Sequence, residues 1–258
     1  MRPWFGRRSG GRLVEIVEIL GRSEQGRTRP FICRGDDHQV YFVKGRGAGR
    51  RSQLCEWTAA HLAHALRLPV ANFGVVEIPA ALLRLDMPHL DLRDLGAGPA
   101  FGSVRVLNAA EFSIGDLARV PIATRRDILA FDWWVRNDDR TLTPMGGNPN
   151  LLWDAPNQKV AVIDHNLAYT PGFDEPSFMG VHVFAADAGA VWDDLIERLR
   201  YQERFLNALP TFDQACDNAP EEWWFEDDSC GVPVNFDRAE IRRVLERCTA
   251  PDFWKTEP

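Results

Sequence analysis

Three short stretches of the chain hold the residue types that phosphoryl transfer requires. They are Asn137-Asp138-Asp139-Arg140-Thr141, Asn148-Pro149-Asn150-Leu151-Leu152 and Val160-Ala161-Val162-Ile163-Asp164. Moving a phosphoryl group to a hydroxyl needs a carboxylate to orient the nucleophile. It also needs oxygen ligands that hold Mg²⁺ against the nucleotide phosphates. A carboxylate in a loop after a helix, an Asn opening a hairpin and an Asp closing it meet both needs. The hairpin returns the chain, so Asn150 and Asp164 should sit near each other at one end of it. Singly, Asn-Asp-Asp and Asn-Pro-Asn are ordinary turn material. Their order and spacing is what points to chemistry.

A fourth residue joins them. Only three of the 30 basic residues are lysine: Lys44, Lys159 and Lys255. In so arginine-rich a chain each lysine invites a reason, and Lys159 in a turn and Lys255 in the tail need none. Lys44 ends the strand Gln39–Lys44, and Glu56 follows 12 residues later on a helix. A strand lysine paired with a helix glutamate is how kinases fix the α- and β-phosphates of a nucleotide. A compact ammonium fits that slot and a guanidinium does not. Gly45, Gly47 and Gly49 after Lys44 would let backbone amides approach phosphate. The Gly21–Gly26 turn is a second candidate for that cover, and the sequence does not choose between them. The full Walker pattern is absent, which disfavours a P-loop NTPase.

The elements that must position these residues can be read in outline. Leu13–Leu20, Phe31–Arg34, Gln39–Lys44 and Val70–Ile78 read as strands. Ser52 is a plausible N-cap for a helix running to about Arg67, with an apolar stripe of Leu54, Trp57, Leu62, Ala65 and Leu66. Residues 86–100 read as loop, and Phe101–Leu107 as a strand. Helices are expected at 111–119, Thr124–Arg136, 190–208, 211–218 and 237–248. A hairpin of Leu151–Asp154 and Lys159–Asp164 lies between them. The expectation is an α+β, bilobal fold: residues 1–108 a β-rich nucleotide-binding lobe with one helix, residues 109–258 a helical lobe with the catalytic loop and metal site.

Composition sets the bounds. At 258 residues, with 45% hydrophobic and 26% charged side chains, the chain is an ordinary globular one that needs no disulfide or structural metal to fold. Five scattered cysteines without C-x-x-C argue against a zinc site and suit a reducing cytoplasm. No apolar run reaches the ~18–20 residues of a membrane span, and Glu15 and Glu18 interrupt the early apolar stretch that a signal peptide would need. With a net charge of −7, direct nucleic-acid binding is not the expectation. Residues 1–60 nevertheless carry 12 basic against 6 acidic side chains, which suits a phosphate-bearing ligand. His61 and His64 lack the spacing and third ligand of a metal site. Trp133 and Trp134 read as core, and the acidic Glu221–Asp228 as a solvated face anchored by its tryptophans.

Taken together, FDWWVRNDDRT, NPNLLW and VAVIDHNLAY resemble the HipA-like kinases, as do YFVKGRGAG and LCEWTAAHLAHALRLPV. Phe101-Gly102-Ser103 and Pro220-Glu221-Glu222-Trp223 are similar to that family's later segments. The resemblance covers roughly residues 10–230 and is to a compact, stand-alone form. It implies a kinase that uses ATP and Mg²⁺ on a Ser/Thr protein substrate, and, as in several relatives, a toxin paired with a small DNA-binding antitoxin. It further implies Asp139 as catalytic base, Asn150 and Asp164 as metal ligands with Asn148 competing for Asn150's place, and Lys44 and Glu56 as an ion pair. His165 beside Asp164 could contact phosphate, and reads first as a loop-holding residue.

Three departures from the family pattern stand out. Thr143–Gly147 looks inserted, which would shift the base or cover the substrate. Asn166 stands where a glycine is common, and Asp138 beside Asp139 leaves the base ambiguous by one. Two alternatives stay open: a small-molecule or lipid kinase of the same fold, and a pseudokinase serving as a nucleotide-binding regulatory module.

Overall fold

The computed structural model describes residues 13–24, 28–227 and 229–255. Its composition is mixed, with strands concentrated early in the chain and helices late. The described residues divide between two compact units that interleave along the chain. One unit takes those within Met1–Trp57, Ala71–Arg105 and Ala219–Phe236; the other takes Thr58–Val70, Val106–Asn218 and Asp237–Pro258. None of the described helices is long and apolar enough to cross a membrane.

The first unit is built on a closed barrel. Its strands are β1 (Val14–Arg22), β2 (Phe31–Gly35), β3 (Val40–Lys44), β4 (Phe73–Ile78) and β5 (Gly98–Val104), in the order β1-β2-β3-β5-β4. Parallel pairing of β1 with β4, Val14 to Val76, closes the ring. Side chains alternate faces along a strand, so Phe31, Cys33, Tyr41 and Val43 all point inward, where they meet Val14, Ile16, Val76 and Ile78. Each such side chain contributes about 1.5–3 kcal/mol through burial. Residues 86–100 are less purely loop than expected. Leu92 and Leu95 belong to the barrel core, and β5 begins at Gly98.

Helix α1 (Arg50–Ala65) corrects two expectations. It starts two residues before Ser52, entered from Gly49 at φ +86°, and the Ser52 hydroxyl is buried and caps nothing. Nor is it a one-sided amphipathic helix: residues 53–63 are buried throughout, Gln53, Glu56, Thr58 and His61 included. A helix covered all round loses the 3.6-residue contrast that a stripe requires.

The second unit carries the three-stranded sheet β6 (Ala109–Glu111), β7 (Leu151–Asp154) and β8 (Lys159–Val162). Its helices are α2 (Ile122–Trp134), α3 (Glu175–Val181), α4 (Gly189–Trp192), α5 (Leu195–Asp217) and α6 (Arg238–Glu246). The expected helix 111–119 resolves into strand β6 and a 3₁₀ turn, Ile114–Arg119, capped by Ser113 and Asp116. The expected helices 190–208 and 211–218 are replaced by short α4 and one unbroken α5 with Pro210 inside it. An interior proline costs about 3 kcal/mol. Burying Phe205, Leu209 and Phe212 on the same helix returns more than that. Trp134 stacks on Phe205 at 4.4 Å, and its indole N–H donates to the Leu245 carbonyl, so it anchors the core as expected.

Candidate active site

Two groups of chemistry-bearing residues stand in the structure, one in each unit. In the first, alternation along β3 sends Tyr41 and Val43 into the barrel and turns Lys44 to the opposite side. There its Nζ meets Glu56 Oε2 at 2.7 Å, with the two side chains only 8% and 4% exposed. Gln53 Nε2 donates to the Lys44 carbonyl at 2.7 Å, and Arg50 donates to Gln53 Oε1. The start of α1 is thereby tied to the end of β3. Opposite charges buried this closely are held by their mutual attraction and are costly to separate.

The glycines between them have a different task from the one expected. The amides of Arg46 and Gly47 donate to the carbonyls of Leu95 and Asp94, and those of Ala48 and Gly49 close a local turn. A Cβ on Gly45 would fall 2.2 Å from the Leu95 carbonyl oxygen, and one on Gly47 would fall 2.8 Å from Asp94 Cβ. These glycines permit close packing on residues 94–95, and the amides from 46 to 49 are already spent. The alternative cover, the Gly21–Gly26 turn, lies partly outside the described residues.

The second group forms around the loop that follows α2. Asn148 Nδ2 and Asn150 Nδ2 both donate to Asp139 Oδ2, at 3.1 and 3.0 Å. Asn150 precedes β7 and Asp164 follows β8, and the Ile163 amide donates to the Asn150 carbonyl across the hairpin. Both take left-handed backbone, φ +47° at Asn150 and +57° at Asp164, a conformation that Asn and Asp accept more readily than most residues. At position 166, where a glycine is common, no positive φ is needed.

Burial pushes the Asp139 carboxyl above its usual range. The Asn150 hydrogen bond and Arg140 pull it back, while the charges of Asp164 and Asp138 push it further up. Asp138 is also raised, again mainly by burial, and neither asparagine is among the groups that pull it back. The cluster of Asp139, Asn148, Asn150 and Asp164 is therefore a set of hard oxygen donors with repelling negative charge. That donor chemistry fits a divalent cation such as Mg²⁺.

Residues Thr143–Gly147 leave this cluster in place. Thr143 and Gly146 exchange backbone hydrogen bonds, and the Thr141 amide donates to the Asn148 carbonyl. Thr143–Gly147 is thus a closed hairpin that carries Met145 out at 96% exposure and leaves Asn148 and Asn150 on Asp139.

What sequence reasoning missed lies underneath. Arg140 is fully buried; its Nε donates to Asp132 Oδ2 at 2.7 Å, and its NH1 to the carbonyls of Asn150 (2.5 Å) and Ile163 (3.2 Å). Asp132 also accepts from Asn137 Nδ2 at 2.8 Å and faces His182 Nε2 at 3.1 Å. Burial would raise its pKa, but Arg140 and His182 outweigh burial and hold it at about 2. The signal was present in the sequence: Asp132 is a lone charge inside the apolar run Leu-Ala-Phe-Asp-Trp-Trp. His165 is buried edge-on to Phe131, in keeping with a loop-holding role.

A family model described as HipA-like kinase matches residues 16–257, nearly the whole chain. The chain belongs to the HipA-like kinase family. Comparison with curated proteins gives no match. Membership makes the protein one of a family of phosphotransferases.

Proposed function

We propose that this HipA-like kinase transfers the γ-phosphoryl group of ATP, with Mg²⁺, to a Ser or Thr hydroxyl of a protein, using a bilobal kinase-like arrangement. The observation that carries this is the convergence of Asp139, Asn150 and Asp164 on one loop and hairpin, braced by Arg140. Lys44, oriented by Glu56, presents its ammonium to the nucleotide phosphates. Asp139 orients the acceptor hydroxyl and takes up its proton, a task favoured by a pKa above the usual carboxylate range. Asn150 and Asp164 hold the metal through oxygen, with Asn150 preferred to Asn148 because it is buried and its backbone is fixed on the hairpin facing Asp164. Mg²⁺, when bound, neutralises charge on the phosphates. Most of the rate enhancement is then positioning and electrostatics.

A toxin role with a small DNA-binding antitoxin belongs to the same proposal. The test is incubation with γ-labelled ATP, Mg²⁺ and cell extract, followed by phosphoamino-acid analysis. Labelled phosphoserine or phosphothreonine is expected. Label found only in small molecules or lipid would overturn the protein acceptor, and ATP binding without transfer would indicate a pseudokinase.

A further inference from the structure

We propose that His182 is a positioning residue for phosphoryl transfer, setting the brace that fixes Asp139 against Asn150 and Asp164. The proposal rests on the kinase reading above and extends it to a residue 43 positions beyond Asp139. The chain at the end of α3 meets the catalytic loop in an isolated antiparallel bridge. Thr141 bridges His182, the Leu142 amide donates to the Val181 carbonyl, and the Val183 amide donates to the Arg140 carbonyl. Residues 181–183 therefore hold residues 140–142 by backbone alone. The His182 side chain adds a second hold, reaching Asp132 Oδ2, the same oxygen that anchors Arg140 Nε.

The imidazole is used completely. Its Nδ1 accepts from the Phe184 amide at 3.2 Å, which leaves Nε2 to carry the proton and donate to Asp132. One face stacks on Phe178 at 4.7 Å, and Phe184 packs edge-on at 6.2 Å. Burial pushes the imidazole's pKa below its usual value, against the upward pull of Asp132, in the sense that this tautomer requires. Both oxygens of Asp132 are engaged in turn: Oδ1 takes Asn137, and Oδ2 takes both Arg140 and His182. Arg140 carries the geometry on to the Asn150 and Ile163 carbonyls, the residues at and beside the two metal ligands. The chain of contacts runs from His182 through Asp132 and Arg140 to the hairpin end. Removing the Nε2 donor frees Asp132 and Arg140 to shift together. A shift of about 1 Å at reacting groups costs as much as 10²-fold in rate.

The test compares three variants in the full-length protein. His182→Gln keeps a donor at the Nε2 position, whereas the shorter amide of His182→Asn reaches only the Phe184 side. His182→Phe keeps the stacking and removes both polar atoms. Transfer kinetics should show kcat lowered roughly 10- to 100-fold in Asn and Phe, with KM for ATP changed less than about threefold, and near-normal kcat in Gln. Amide hydrogen exchange provides an arm independent of activity: the Thr141, Asn148 and Ile163 amides should exchange faster in Asn and Phe than in wild type or Gln. If Phe fails to fold, the Gln and Asn pair decides. Wild-type kcat and protection in the Asn variant would overturn the proposal, as would equal losses in Gln and Asn. Wild-type protein that transfers no phosphate would defeat the kinase reading, while the exchange arm would still decide the brace.

Discussion

The two residue groups differ in sign as much as in position. Lys44 and Glu56 are opposite charges, nearly dry, and joined by a 2.7 Å hydrogen bond. Asp138, Asp139 and Asp164 are like charges gathered on one loop and hairpin, and two of the three have carboxyls raised above their ordinary range. Removing either member of the first group would leave a buried charge without its counter-ion, which is costly to the fold. The second works against the fold and becomes favourable only when something positive arrives. A gathering of like charges that is kept for function trades stability for it. Here the loss is contained by an opposite-charge brace of Arg140 on Asp132, buried directly beneath it.

The sharpest break of this contrast is Asp139→Asn. Transfer should fall by about 10³-fold or more, while thermal stability holds or rises, because Asn still accepts from Asn148 and Asn150 without the repulsion. A fall in both activity and melting temperature would make Asp139 structural. Next is Asp164→Asn, which should weaken Mg²⁺·nucleotide binding and lower transfer by about 10²-fold. Unchanged metal dependence in a Mg²⁺ titration would remove Asp164 from the metal site.

Lys44→Met should do the reverse of Asp139→Asn. Leaving Glu56 buried without its partner should destabilise by about 3–5 kcal/mol in denaturant unfolding, along with weaker ATP binding. Lys44→Arg keeps the charge but should still impair turnover, because the planar guanidinium does not replace a compact ammonium. A wild-type rate in that variant would undo the lysine argument.

The smallest effects are those of pH and metal on stability. Asp138 and Asp139 have raised folded pKa values, so ionising them in the folded state costs stability, and acidification through those values removes the cost. Asp132 is opposite: its contribution is complete above its ordinary pKa and is lost as pH falls toward about 2. Melting curves should therefore show Asp139→Asn gaining over wild type near neutral pH and losing that advantage in acid. Mg²⁺ alone should raise the melting temperature of wild type slightly and that of Asp164→Asn not at all.

Much of this was legible in the sequence because the relevant signals are local. Lys44 at a strand end, Glu56 on the following helix, and the Asn and Asp bounding a hairpin are each marked by neighbours of contrasting type. Of the brace, only Asp132 left a local mark; its pairing with Arg140 and His182, 8 and 50 residues further on, arises only through tertiary folding. The role given to Gly45, Gly47 and Gly49 went astray for a related reason. Glycine marks a close backbone approach but not what approaches, and here it is the backbone of Asp94 and Leu95. Helix α5 shows burial overriding a propensity rule, with Pro210 carried inside it by aromatic packing.

The most direct test of the central claim is γ-phosphoryl transfer from Mg·ATP by wild type and Asp139→Asn in parallel, with nucleotide binding measured on the same samples. The account predicts labelled protein with wild type only, and ATP bound by both. Equal labelling by the two proteins, or no ATP binding by either, would contradict it.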